Sequence, residues 1–189
     1  MGTFGARAVL ATPRRVVVAV GVAAWALGLV GTALWLALVT EGPFGALPAG
    51  TAFADEPTAD WKVVGWPFYS AQFVDVRSVG LQSVTVTRSP VGLLVDRTER
   101  FPPVYLLPPV LLTVAGTVAT ASVSASDGRP LDPVAGAHVA FGYLPATLLV
   151  VAIDPFAAVV AGLVSPATFG FLGGVLATLP GRVRASHRR

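Results

Sequence analysis

The sequence contains no cysteine and no asparagine, and few of its side chains are charged. Without cysteine, neither a disulfide framework nor a thiolate metal site can form in the chain. Without asparagine, there is no acceptor for N-glycosylation. Only 12% of the residues are charged and 54% are hydrophobic, whereas charged residues make up roughly a quarter of an average soluble domain. This imbalance predicts an integral membrane protein.

Motifs of the common enzyme classes are also missing. The sequence has no HExxH, no GxSxG and no GxxxxGK[ST] stretch, and it contains two histidines in total. Its arginines concentrate at the two ends instead of on one face of a domain, which argues against a nucleic-acid partner. We therefore predict a protein that is not an enzyme, with no catalytic residue, no cofactor and no metal site.

Two long uncharged runs predict the first two membrane crossings. Residues 16–40 form an uncharged stretch that follows two arginines and ends at Glu41. As a helix, this stretch is long enough for a hydrocarbon core of about 30 Å. The second run opens with Pro102-Pro103 and Pro108-Pro109, and proline suits the first turn of a helix. We predict the second crossing over residues 104–126.

The apolar tract that follows is too long for a single crossing. Its one charged residue is Asp154, which is followed by Pro155. Asp is a good N-cap and Pro a good first helical residue, so this pair predicts a tight turn between two helices. Asp132-Pro133 repeats the signal at the start of the tract. We predict the third and fourth crossings over residues 133–153 and 155–179.

The arginines at the two ends predict the orientation of the chain. With four crossings both ends lie on one side, and the positive-inside rule makes that side cytoplasmic. The tails, residues 1–15 and 180–189, are then cytoplasmic, and residues 41–103 form an extracytoplasmic segment. The predicted location of the protein is the cell membrane. A rival interpretation treats the first helix as a signal peptide cleaved near Ala52-Phe53-Ala54, although the apolar stretch is long for such a leader.

The extracytoplasmic segment predicts a short interfacial helix followed by a β-hairpin. Pro67 is a suitable start for a helix too short to cross a bilayer, and Trp and Tyr favour the headgroup level. Residues 80–97 alternate in polarity around the turn signal at Ser89-Pro90, which predicts the hairpin. The predicted interfacial aromatic patch, which lies on the membrane surface, consists of Trp61, Trp66, Phe68, Tyr69 and Phe73.

Three features of the sequence are shared with a known group of proteins: one long first helix, the stretch GWPFYSAQFVDV and three closely spaced C-terminal helices. In these features the chain resembles an uncharacterised family of small multi-pass membrane proteins, with four helices, predicted from haloarchaeal genomes. The resemblance extends over most of the chain. It implies an archaeal four-helix membrane protein and brings no functional residue with it.

Two polar residues inside the predicted crossings are candidates for function. An ionisable group within a membrane usually faces a bundle interior or a water-filled cavity, so we expect His138 to point at neighbouring helices. The alternative is a packed, neutral histidine. The second candidate is Ser165, which precedes the proline that interrupts the fourth helix; Pro145 interrupts the third helix in the same way. Broken helices build substrate sites in transporters. However, proline is also common in membrane helices in general.

Small residues repeat along the predicted crossings and favour close helix packing. The stripes are Gly21, Ala24, Gly28 and Gly31 in the first helix, Thr113, Thr117, Thr120 and Ser124 in the second, and Ala158, Gly162, Pro166, Gly170 and Gly174 in the fourth. The sequence thus predicts an all-α bundle in the lipid bilayer with a structural, accessory or interaction role, as a homo-oligomer or with a membrane-protein partner. The alternative is a transporter or channel subunit that uses the kinked third and fourth helices.

Overall fold

The computed structural model describes residues 4–39, 60–74, 76–79, 84–87, 103–128, 130–150 and 158–186. Helices dominate this part of the chain. A 3₁₀ turn at Pro103–Leu106 leads into the third helix, and a π-helical segment at Val160–Val164 leads into the last. In chain order the α-helices and strands are α1 (Phe4–Val39), α2 (Asp60–Ser70), β1 (Val76–Val79), β2 (Val84–Thr87), α3 (Leu107–Asp127), α4 (Pro133–Ala137), α5 (Ala140–Val150) and α6 (Ser165–Ser186).

Within the described residues, three helices are long and apolar enough to cross a membrane: Arg15–Leu38, Pro103–Ser126 and Val160–Leu179. The first two agree with the predicted crossings. However, α1 begins at Phe4, so residues 4–15, predicted as a tail, continue the helix. Likewise α6 runs on to Ser186 and includes most of the predicted C-terminal tail.

The third predicted crossing is not one continuous helix. Asp132 accepts a hydrogen bond from the backbone N–H of Val134 at 3.0 Å and caps α4 as predicted. The helix then stops after Ala137, and α5 starts at Ala140. Between them the backbone makes i to i+3 hydrogen bonds, among them Val139 N–H to the Gly136 carbonyl at 3.3 Å. Four crossings are therefore not confirmed, and the turn predicted at residues 153–155 lies outside the described residues.

The described strands differ from the predicted hairpin over residues 80–97. β2 pairs antiparallel with the preceding strand β1, with Val76 opposite Thr87 and Val79 opposite Val84. The prediction paired the chain around 84–87 with the residues that follow it. Those later residues lie outside the described part of the chain, so the predicted hairpin is not seen.

The predicted small-residue stripes face the inside of the bundle. In the last helix Ala158, Gly162, Pro166, Gly170 and Gly174 are all buried, which confirms that stripe. α6 packs against α3 and α4, and α1 packs against α3 and α5. At the centre three backbones meet: a Cβ on Gly116 of α3 or Gly136 of α4 would collide with the Gly170 carbonyl of α6. Only glycine permits such an approach.

The outer faces of the long helices carry large apolar side chains. On α1 they recur at three- or four-residue spacing, as Leu27, Val30, Leu34 and Leu38. Val110, Val114 and Val118 form the same pattern on α3. Small residues inside and large apolar residues outside invert the usual arrangement of a water-soluble helical bundle, as expected for helices that lie in lipid.

Candidate functional site

The aromatic segment lies against the bundle instead of on its surface. α2 contains Pro67 in its last turn, and Phe68 and Tyr69 beyond it are 0% and 2% exposed. The Phe68 ring meets Trp25 of α1 edge to face, with ring centroids 6.3 Å apart. The prediction of an interfacial patch is therefore wrong for Phe68 and Tyr69.

The other members of the predicted patch differ from these two. Phe73 is 41% exposed and stacks on Phe169 of α6, with centroids 5.8 Å apart. It also adopts a positive φ of 70°, a conformation that is uncommon for a residue other than glycine. The side chains of Trp61 and Trp66 lie outside the described residues.

Four buried polar side chains near the end of α2 are neighbours of one another. They belong to Trp25 of α1, Tyr69 and Gln72 of the α2 segment, and Tyr143 of α5. The Trp25 indole lies beside the Tyr69 hydroxyl, while the Tyr143 hydroxyl lies beside the Gln72 amide and near Tyr69. In each pair the two groups are neighbours, and Trp25 Nε1, Gln72 Oε1 and the two hydroxyl oxygens are all buried.

The rest of the Gln72 side chain is anchored. Its Nε2 donates to the Phe68 carbonyl at 3.3 Å. Burial raises the pKa of Tyr69 to about 12, and the indole N–H of Trp25 beside the hydroxyl opposes this shift. At neutral pH the group of four therefore presents uncharged donors and acceptors.

His138 does not point into the bundle. It lies at the break between α4 and α5, its side chain is exposed, and its ring is 5.5 Å from that of Phe141, which is also exposed. The expectation that the imidazole faces neighbouring helices is therefore wrong. His138 lies where the backbone leaves regular α-helical geometry, directly after the turn that carries the buried Ala135 and Gly136.

Ser165, in contrast, is buried. It is 5% exposed, and its hydroxyl has no hydrogen-bond partner. Its backbone N–H bonds to the Val160 carbonyl, which makes the π-helical turn. This wider turn directly precedes Pro166, whose ring cannot fit within a regular α-helical ladder. Since Ser165 is buried and His138 is exposed, the two predicted polar residues do not share a site.

The sequence pattern does not single out Trp25, Gln72 or Tyr143. Each has an apolar neighbourhood in sequence, and polar groups in such stretches are a general sign of function in membranes. Gln72, an amide within an aromatic run, was the most visible signal. Within the described ranges, no three His, Asp or Glu residues are grouped as a metal site would require.

Comparison with known proteins places this bundle within a family. No curated protein matches the chain, and no solved structure matches it. The sequence pattern of one family, a family of unknown function called DUF7978, matches residues 6–180. That match includes nearly all of α1, every helix from α2 to α5 and most of α6. The chain therefore belongs to the DUF7978 family.

Proposed function

We propose that this protein is a structural or accessory component of the cell membrane that has no enzymatic activity and works by holding helices, its own or a partner's, in a fixed arrangement. The observation that carries the proposal is the contact of three backbones at Gly116, Gly136 and Gly170. Such a contact transmits any displacement of one helix directly to the others, because no flexible side chain lies between the backbones.

The proposal includes four crossings with both ends in the cytoplasm. The three long apolar helices support it, together with the broken segment formed by α4 and α5, which packs between α1 and α6. The arginines near both ends supply the positive charge for the cytoplasmic side. We also propose that the protein is archaeal and that it assembles as a homo-oligomer or with a membrane-protein partner. The proposed origin rests on the resemblance of GWPFYSAQFVDV alone.

The absence of native cysteine makes the topology directly testable. Single cysteines at Ala125 near the end of α3, at Ser186, and at Arg100 should be probed in intact cells with a membrane-impermeant maleimide. Arg100→Cys should react, whereas Ala125→Cys and Ser186→Cys should react only after the membrane is opened. Reaction of Ser186→Cys in intact cells would overturn the proposed orientation.

A second candidate function, as a transporter or channel subunit, is favoured by one observation. The chain is irregular at two places: the break after Ala137, and the π-helical turn ahead of Pro166 with the buried Ser165 hydroxyl, which has no hydrogen-bond partner. Irregular helices of this kind build the sites of many transporters. Purified protein in liposomes separates the two candidates. Permeability to protons and small solutes equal to that of empty liposomes supports the accessory role, and a clear increase that Ser165→Ala alters supports transport.

A further inference from the structure

The broken segment formed by α4 and α5 carries one exposed face. Its exposed side chains follow one another at alternating intervals of four and three residues, and they are Val134, His138, Phe141, Pro145 and Leu148. We call this face the His138 stripe. Residues between its members, such as Ala135, Val139 and Tyr143, are buried in the bundle. The stripe is thus continuous across the break after Ala137, and it has the spacing of helices that pack side by side.

The stripe lies well inside the levels that the long helices span. A Cβ on Gly21 of α1 would collide with the carbonyl of Val139, the residue next to His138. Gly21 lies six residues beyond Arg15, the start of the candidate span of α1, and this separation is about 9 Å of helix. Asp132, the polar cap of α4, also precedes His138 by six residues. In the proposed crossings the imidazole therefore lies in the hydrocarbon core, and it lacks the long stem with which lysine and arginine reach the interface.

Exposure of a histidine to lipid at this depth is unfavourable, because ionisable side chains within membranes almost always face protein or a water-filled cavity. Among the described residues, the ring of His138 lies beside that of Phe141 at 5.5 Å, which offers no hydrogen bond to satisfy it. Pro145 adds a second polar group to the stripe, since it has no N–H to donate to the Phe141 carbonyl. Lipid chains satisfy neither group. The stripe therefore requires a cover that can form hydrogen bonds.

The exposed faces of α1 and α3 have no such requirement. They carry large apolar side chains, namely Leu27, Val30 and Leu34 on α1 and Val110, Val114 and Val118 on α3. Lipid chains cover such side chains as well as protein does. The need for a polar partner therefore distinguishes the His138 stripe from these two faces.

The chemistry of the stripe fits a second copy of the same chain. A neutral imidazole carries one donor nitrogen and one acceptor nitrogen, so two imidazoles can bond to each other without any further group. Two copies that share one orientation in a membrane are related by an axis along the membrane normal, and each residue near that axis meets its counterpart at the same depth. A single polar residue in an otherwise apolar seam also fixes the alignment of two helices.

We propose that the His138 stripe is the contact surface between two copies of this chain, and that the two His138 side chains hydrogen-bond to each other across it. This inference rests on the crossings and the homo-oligomer proposed above. It assigns the face and the residue that hold the two copies together.

Disulfide cross-linking in membranes tests the proposal, because the chain has no native cysteine. Val134→Cys and Phe141→Cys keep His138 in place, and each should form a covalent dimer when copper phenanthroline is added. Leu34→Cys on α1 and Val114→Cys on α3 are the matched controls: the native side chains are 61% and 54% exposed, against 61% for Phe141 and 49% for Val134. We expect severalfold more dimer from the two stripe positions. Yields that do not exceed those of the controls would overturn the proposal.

A pair of substitutions at His138 tests the hydrogen bond itself. His138→Gln keeps a donor and an acceptor, whereas His138→Leu keeps neither. Association is measured in liposomes by energy transfer between labelled copies as the ratio of protein to lipid is varied. His138→Leu should weaken association by roughly three- to thirtyfold, the range expected from one interhelical hydrogen bond in a membrane, and His138→Gln should stay near the wild type. Association of His138→Leu as tight as that of the wild type would overturn the histidine pair.

These measurements separate this inference from the proposed function. Covalent dimers that form at Leu34→Cys or Val114→Cys alone would overturn the His138 stripe as the contact and leave the homo-oligomer intact. A cross-link from Phe141→Cys to a different membrane protein would overturn the pairing of two copies and support the accessory role. A chain that stays monomeric at every ratio of protein to lipid would overturn both this inference and the homo-oligomer.

Discussion

Phe68 lies directly on Gly28, and this contact places the aromatic segment inside the bundle. The ring occupies the volume that any side chain at position 28 would fill, and it is completely buried. Gly28 also accepts a hydrogen bond at its carbonyl from the Thr32 hydroxyl at 2.9 Å. Helix α1 therefore presents a smooth surface at this turn, made by a glycine and an internally bonded threonine, on which a flat ring can pack.

Gly28→Val should displace the α2 segment from α1. The new side chain overlaps the Phe68 ring, and overpacking of a closed core typically costs about 1–3 kcal/mol. The measurement is thermal unfolding in detergent, together with protease sensitivity of residues 60–74. Ala26→Val is the matched control, because Ala26 lies on the exposed side of the same helix. Equal melting temperatures for the two variants would contradict the contact.

Phe68→Ala and Phe73→Ala should differ strongly. Phe68 is 0% exposed and its loss leaves a cavity, for which about 3–5 kcal/mol is typical. Phe73 is 41% exposed and stacks on one ring, so its loss should cost about 1 kcal/mol or less. Chemical unfolding of both variants in the same detergent provides the comparison. If the segment were a belt on the membrane surface, the two substitutions would have similar, small effects.

Gly116→Ala should separate α3 from α6. The added methyl meets the backbone of Gly170, and a helix backbone moves away only as a unit, so we expect a loss of about 2 kcal/mol or more. At Gly65 a Cβ would lie 3.8 Å from the Tyr69 ring, which is ordinary contact. Gly65→Ala is thus the control, and its melting temperature should stay at or slightly above that of the wild type. An equally unstable Gly65→Ala would show that the loss at Gly116 is not specific to the crossing.

The high pKa of Tyr69 predicts a loss of stability at alkaline pH. Its folded pKa is raised to about 12 from an ordinary value of 10.0, so the folded state holds the proton more tightly than the unfolded state does. The contribution is fully present below pH 10 and is lost as the pH rises through about 12, in total about 2–3 kcal/mol. Unfolding should be measured from pH 8 to 12 for the wild type and Tyr69→Phe. Parallel pH profiles for the two proteins would exclude the predicted linkage.

The features that the sequence predicted correctly have local or periodic causes. The long helices over Arg15–Leu38 and Pro103–Ser126 follow from uncharged length, and the cap at Asp132 follows from the adjacent Pro133. The buried stripe of α6 follows from spacing, since residues four apart share a helix face. None of these predictions required knowledge of which helices are neighbours.

The predictions that failed depended on neighbours. The burial of Phe68 and the orientation of His138 both depend on where neighbouring elements lie, and hydropathy does not encode these positions. Aromatic rings suit a membrane interface and a protein core equally well, so composition alone favoured the surface for Phe68. A short run of i to i+3 bonds at residues 138–139 then turned His138 outward, although regular helical spacing predicted the opposite.

By itself, the sequence determined that the chain forms helices long and apolar enough to cross a membrane, because its uncharged runs are long. It also determined which helix faces can approach closely, because only small residues permit backbone contact. Only the tertiary structure decided that α2 enters the bundle and that Trp25, Tyr69, Gln72 and Tyr143 meet there. These residues come from three separate elements. They come together because the Phe68 ring packs on Gly28, and this contact between two helices cannot be read from any single stretch of sequence.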